Sequence, residues 1–346
     1  MSIINEYMNT QNEYIINLDS NEIYLSIDEK IFMKMKSCLT KIDLHRYPTN
    51  DMKEIKDLYA NYAGVRAKNI IVTNGSDEAL ELVISKFIRS DKKVLTISPD
   101  FVMYDFYIER FGGKIRKYDI GRQMKFDVDS FIKFAEKENA DLIVFSNPNN
   151  PTGIKLTSKE IIKILEAFKD KPILIDEAYY EFNGESVVSY INIYRNLYVT
   201  RTLSKAWGLA ALRMGFLITH EENIKDISKY KVPYTVSSYS QNLAEVVLKY
   251  PSRVINNVKK VIEQREKLYL KLKDIEKNAA MNINFFESKG NFIYGKTKHK
   301  EALQKGMKKN GIRIRYFDDN TFRITVGSPM ENRKVIEALK NIFGCA

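Results

Sequence analysis

The chain has 346 residues, of which 44% are hydrophobic. That is enough for two domains with cores of their own, and no apolar run approaches the roughly 18 residues of a membrane-spanning helix. The formal net charge of +11 is carried by lysines scattered through helical stretches such as "TSKEIIKILEAFKDK", which argues against a nucleic-acid-binding face and leaves small anionic substrates as partners. The two cysteines, Cys38 and Cys345, stand alone, so neither a disulfide framework nor a cysteine-based metal site is expected. The polar N-terminus has no signal-peptide pattern, and a cytoplasmic location follows as the expectation.

Taken in chain order, short β-rich runs alternate with helical stretches. "NIIVT" (69–73) precedes "SDEALELVISKFIR", and "KVLTIS" (93–98) precedes "DFVMYDFYIERFG". "DLIVFS" (141–146) leads through the loop "NPNNPTG" into "TSKEIIKILEAFK", where Thr157 and Glu160 form a capping box. "PILID" (172–176) and "NLYVTRT" (196–202) follow. These runs are apolar on both faces and bounded by turn residues, the pattern of a mostly parallel sheet covered by helices. Beyond residue 235 come one long helical stretch (239–276), "GNFIYGK", a helix near 299–309, "GIRIRYF", "FRITVG" and a last helix from about 331. The expected organisation is α/β: a large domain over 46–235, and a smaller α+β domain over 236–346 joined by residues 1–45.

In an open α/β sheet, ligands sit beyond the carboxyl ends of the strands. After the first run, Gly75 and Ser76 open a helix and offer backbone N–H groups to an anion. The third run is followed by "SNPNNPTG", the fourth ends on Asp176, and the fifth delivers Ser204 and Lys205. Singly, each has a plain structural explanation as a helix cap or turn. Together they deliver an anion cradle, an amide, a carboxylate and a lysine to one edge. Such a set suits an aromatic aldehyde with a phosphate tail. Lysine forms a Schiff base with it, and a carboxylate keeps its pyridine nitrogen protonated so that the ring accepts electrons. The phosphate would sit at the helix N-terminus with Ser204 and Arg213 closing around it.

The motifs "SNE", "HRYPTNDMKEIKDLYANYAGV", "NGSDEALELVI", "NPNNPTG", "DEAYYEF", "TLSKAWGLAALRMGF" and "FRITVGS", in this order, resemble those of the fold-type-I pyridoxal-phosphate-dependent aminotransferases, and among them the histidinol-phosphate aminotransferase subfamily. The resemblance covers most of the chain. It implies a large domain built on a mostly parallel, seven-stranded sheet, with pyridoxal 5′-phosphate as cofactor. Lys205 would carry the cofactor and move protons, and Asp176 would pair with the pyridinium nitrogen. Asn150 and Tyr179 would bond its phenolic oxygen, and Tyr104 would stack on the ring. Gly75, Ser76, Asp77, Ser204 and Arg213 would hold the phosphate, joined by Tyr47 from a second subunit of a homodimer with shared active sites. Asn21, Arg315 and Arg323 would engage the substrate. Arg313 stands beside Arg315, and one of the two is expected to face away. His45, His220, His299 and Trp207 are expected to be structural or exposed.

The sequence departs from the subfamily at "SNEIYLSID", which lacks a proline, and at the short loop "YFDDNTF"; the resemblance implies that both border the substrate pocket. The expected reaction moves an amino group from a donor such as L-glutamate to a small phosphorylated ketone. A decarboxylase of a phosphorylated amino acid is the alternative, because bond choice at Cα depends on an orientation that motifs do not encode. A third reading, a regulator binding DNA, would need an added N-terminal domain, for which the pattern beginning near residue 18 leaves no room.

Overall fold

The computed structural model describes residues 15–120 and 124–344. Cys345 and the beginning of the polar N-terminus lie outside the described residues.

Seven strands form the larger sheet, in the order β2 (Ile70–Asn74), β8 (Met214–Thr219), β7 (Leu197–Thr202), β6 (Ile173–Asp176), β5 (Leu142–Ser146), β3 (Lys93–Ser98) and β4 (Lys114–Asp119). All run parallel except β8, which is antiparallel to both neighbours. The five expected strands are present within a residue of their ends. Two further strands, β4 and β8, complete the seven that the resemblance implies, at positions the sequence pattern does not mark. The exposed edge strand β4, "KIRKYD", alternates charge instead of presenting an apolar run. The strand β8 is hidden within "RMGFLIT", directly behind the lysine motif.

The central strands are buried on both faces, and their side chains alternate between two clusters. Ile143, Phe145, Ile173, Ile175 and Phe216 point to one; Leu142, Val144, Leu174 and Leu217 point to the other. Helices α3 (Gly75–Phe87) and α4 (Met103–Arg110) cover the second face. Helices α5 (Val128–Glu138) and α6 (Ser158–Ala167) cover the first. The capping box of α6 forms as expected: Glu160 N–H donates to Thr157 Oγ1, and Thr157 N–H donates to Glu160 Oε2. Loss of such a cap costs about 1 kcal/mol.

The second sheet has five strands, ordered β1 (Ile16–Leu18), β11 (Ile312–Tyr316), β12 (Thr321–Thr325), β10 (Phe292–Lys296) and β9 (Asn284–Phe286). The strand β1 pairs parallel with β11, which fastens the N-terminal segment to this sheet. Helices α10 (Lys300–Lys309) and α11 (Pro329–Phe343) pack on it through Leu303, Met307, Val335 and Leu339.

The single helix expected over 239–276 is two: α8 (Ser238–Leu248) and α9 (Pro251–Asn278). Proline lacks an N–H and clashes with the preceding turn, so Pro251 begins a helix instead of continuing one. The expected boundary near 235 falls ahead of helical faces that still serve the large core. Ala244, Val247, Val254 and Val261 join it, as do Ile31 and Met35 of α1 (Glu29–Leu39). Further along α9, Leu268, Leu272 and Ile275 belong to the five-stranded sheet, so this one helix runs from one core to the other. Among the described residues, no helix is long and apolar enough to cross a membrane.

Candidate active site

The carboxyl ends of β2, β3, β5, β6 and β7 meet at one edge of the large sheet, facing the small sheet across a cavity of about 1030 Å³. Asp176 closes β6 and is 4% exposed. Burial raises its carboxyl to about pKa 6, against the pull of the Tyr104 hydroxyl (2.9 Å) and the Ala178 N–H (3.1 Å), which both donate to it. A carboxylate held at such a cost gains most from a cationic partner.

Lys205 follows β7, where tight turns carry the chain from Thr202 into the site. Burial and the Arg323 guanidinium lower its amine to about pKa 8. At neutral pH roughly a tenth is then uncharged and nucleophilic, several hundredfold more than for an ordinary lysine. Its Nζ donates to the Ser20 carbonyl (2.7 Å) and lies 5.9 Å from the centre of the Tyr179 ring. The Tyr179 hydroxyl accepts from Asn21 Nδ2 (2.9 Å).

The helix α3 begins at Gly75 with φ +74°. A Cβ there would lie 2.8 Å from Arg213 Nη2, so the guanidinium rests on the backbone of the first turn. Gly215 allows the same turn to press against β8, because its Cβ would lie 2.4 Å from the Gly75 carbonyl carbon and Ser76 nitrogen. Arg213 pairs with Asp77 at 2.8 Å. The Ser204 hydroxyl is buried and accepts from Thr202 Oγ1 at 2.9 Å. Open N–H groups, the positive end of a 13-residue helix and an arginine make a cradle for a phosphate.

Of the expected residues, Asp77, Asn150, Tyr179, Lys205, Arg213, Arg315 and Arg323 line the cavity. Three expectations need correction. Tyr104 does not face the cavity; it is 1% exposed beneath Asp176, and Phe101, edge-on to it at 5.6 Å, is the aromatic in the lining. The helix α4 starts only at Met103, so Phe101 stays in the loop over the strand ends. Asn21 is fully buried, its amide spent on Tyr179 and Thr325, while Ser20 and Glu22 on either side line the cavity. Arg313 and Arg315 both line it, because residues two apart on a strand share a face. Tyr47 is 83% exposed and stacks on Tyr234 at 5.0 Å, outside this cavity.

Residues 13–339 match the model of the family "Aminotransferase class I and II". The chain belongs to this family. The histidinol-phosphate aminotransferase of Clostridium novyi (strain NT) is 37% identical over 332 residues, covering 95% of this chain and 92% of that one. The crystal structure of the histidinol-phosphate aminotransferase from Clostridium acetobutylicum superimposes with a TM-score of 0.85 at 24% identity, over 95% of this chain and 99% of that one. The L-threonine-O-3-phosphate decarboxylase of Porphyromonas gingivalis gives a TM-score of 0.81 at 21% identity, over 95% and 100%. At 21% identity the decarboxylase shares the fold alone.

In this aminotransferase a buried network lies directly behind the lysine and carboxylate. Glu177 and Arg201, 1% and 2% exposed, pair at 2.9 Å. Glu177 also accepts from Ser186 Oγ (2.7 Å) and the Val187 N–H (2.8 Å), and the Arg201 guanidinium lies 3.6 Å from the Tyr180 ring centre. The network ties the 177–187 loop, which carries Tyr179, to β7, which leads into Lys205. Its sequence signal was a pair of charges inside apolar strand ends, "DEAYY" and "VTRT".

Proposed function

We propose that the chain is a pyridoxal-phosphate-dependent aminotransferase of the histidinol-phosphate type, passing an amino group from L-glutamate to imidazole-acetol phosphate or a similar phosphorylated ketone. The observation that carries this is the placement of a lowered-pKa lysine and a buried carboxylate at neighbouring strand ends, between the α3 cradle and the arginines of the small sheet. The residues fit the cofactor: the cradle fits its phosphate, Asp176 a protonated ring nitrogen, and Lys205 its aldehyde.

When bound, pyridoxal phosphate supplies an electron-withdrawing ring that accepts the electron pair released at the substrate's Cα. Lys205 would hold the cofactor through its amine and would take and return the proton at that carbon, a task suited to an amine near pKa 8. Asp176 would keep the ring nitrogen protonated and Phe101 would contact the ring. Asn150 and Tyr179 would bond its phenolic oxygen, and Arg315 and Arg323 would grip the substrate anion. Arg323 is held ready by Asn150 Oδ1 and by the Asp19 carbonyl (2.6 Å). Tyr47 would reach the cofactor phosphate of a second copy in a cytoplasmic homodimer, which gives the exposed Tyr47–Tyr234 pair a role. In the proposed division, residues 46–235 form the body of the cofactor domain, with α1, α8 and the first half of α9 packed onto it.

The visible spectrum of the cofactor-loaded protein before and after L-glutamate tests the proposal. Conversion to a pyridoxamine-type spectrum, reversed by imidazole-acetol phosphate, is the expected result. A spectrum untouched by glutamate but altered by a phosphorylated amino acid with CO₂ release would replace transamination by decarboxylation.

A further inference from the structure

Three guanidinium groups share one wall of the cavity, and the reaction above employs two. Arg315 in β11 stands opposite Arg323 in β12, while Arg313, two residues earlier on the same face, stands opposite Asn17 of β1. All three line the cavity. Arg313 engages Asp19 through its Nε at 2.9 Å, with side chains 17% and 14% exposed. The same Asp19 gives its backbone carbonyl to Arg323. One residue thus touches both ends of the arginine wall.

We propose that Arg313 and Asp19 set the anion preference of this site, with Arg313 the additional contact for a dianionic phosphate ester and Asp19 a built-in carboxylate that a monoanionic substrate does not displace. The inference rests on the proposed function. Both substrates of a transamination enter one cavity, and their anionic groups differ. L-glutamate brings two separate carboxylates of one charge each, whereas a phosphate ester gathers between one and a half and two charges near neutrality on one group with three acceptor oxygens. Two guanidiniums satisfy a carboxylate. A third charge helps an anion that can outcompete Asp19 for Arg313, and Asp19 taxes any anion that cannot.

The test uses the cofactor-loaded protein. Calorimetric titration with propyl phosphate, a non-reacting monoester, is compared with butyrate, and the glutamate half-reaction is followed by absorbance. Arg313→Gln is expected to weaken propyl phosphate about ten- to hundredfold, as for loss of a charge-assisted bond, and to slow the glutamate half-reaction by a clearly smaller factor. Arg313→Lys, which keeps the charge, restores most of the ester affinity. Asp19→Asn narrows the preference for ester over butyrate. Equal ester affinity in wild type and Arg313→Gln, equal weakening of ester and glutamate, or no ester binding by wild type at about 10 mM would each overturn the inference. A wild-type protein that ignores glutamate removes the proposed function instead, and the ester titrations still decide the role of Arg313.

Discussion

Replacing Asp176 by Asn separates what this carboxylate costs the fold from what it gives the cofactor. In the cofactor-free chain, burial raises Asp176 from 3.8 to about 6. The folded state therefore holds this proton more tightly than the unfolded state does. The contribution is neutral below about pH 4, where both states are protonated; stability is lost as pH rises from about 4 to 6, and the penalty is constant above. A shift of this size amounts to about 3 kcal/mol at pH 7. An uncharged amide of the same shape escapes it, less whatever is lost at the Tyr104 and Ala178 hydrogen bonds, so cofactor-free Asp176→Asn should be more stable than wild type by about 1–3 kcal/mol at pH 7. Urea denaturation at pH 4, 5, 6 and 7 reads this directly: the mutant's advantage should be smallest at pH 4 and level off above 6. The loaded protein should behave oppositely. There the mutant loses the ionic partner of the ring nitrogen and should release pyridoxal phosphate about ten- to a hundredfold more readily in dialysis. An advantage that does not vary with pH, or a mutant less stable than wild type at pH 7, would refute the account of Asp176 as an ion held at a cost for the cofactor.

Cofactor-free protein should capture added pyridoxal phosphate on Lys205 at a rate that rises with pH to a midpoint near 8, measured by reductive trapping, because burial has shifted the amine that far; a midpoint above about 10 would remove the lowered pKa from the argument. Arg201→Met leaves Glu177 buried without its partner and should cost about 3–5 kcal/mol in denaturant unfolding. Gly215→Ala drives a methyl into the first turn of α3, where backbone atoms cannot yield. A loss of about 1–3 kcal/mol is expected, together with faster release of the cofactor. Phe101→Leu should speed that release with little change in stability, since Phe101 is partly exposed in the cavity wall, whereas Tyr104→Phe should act through the pKa of Asp176.

Local sequence by itself determined where the chemistry hangs. Apolar runs of four to six residues, three of them leading into a glycine, a carboxylate and a serine-lysine pair, fix both the parallel sheet and the identity of what stands at its edge. The capping box of α6 needed only Thr157 and Glu160, because both partners lie within one turn. Long-range geometry decided the rest. Nothing local distinguishes Phe101 from Tyr104; the start of α4 and the packing above Asp176 choose which ring faces the cavity. Asn21 sits in a motif of polar residues, but pairing of β1 with β11 turns its amide inward and leaves its neighbours facing out. The role of Arg313 depended on β1, from the far end of the chain, pairing beside the neighbouring strands β11 and β12 and bringing Asp19 to their arginines, and the charge count alone held no trace of that arrangement. Periodicity and capping act over a few residues and are legible in order; which face of a strand meets a cavity depends on the partner across it, and that partner is named only when the chain has folded.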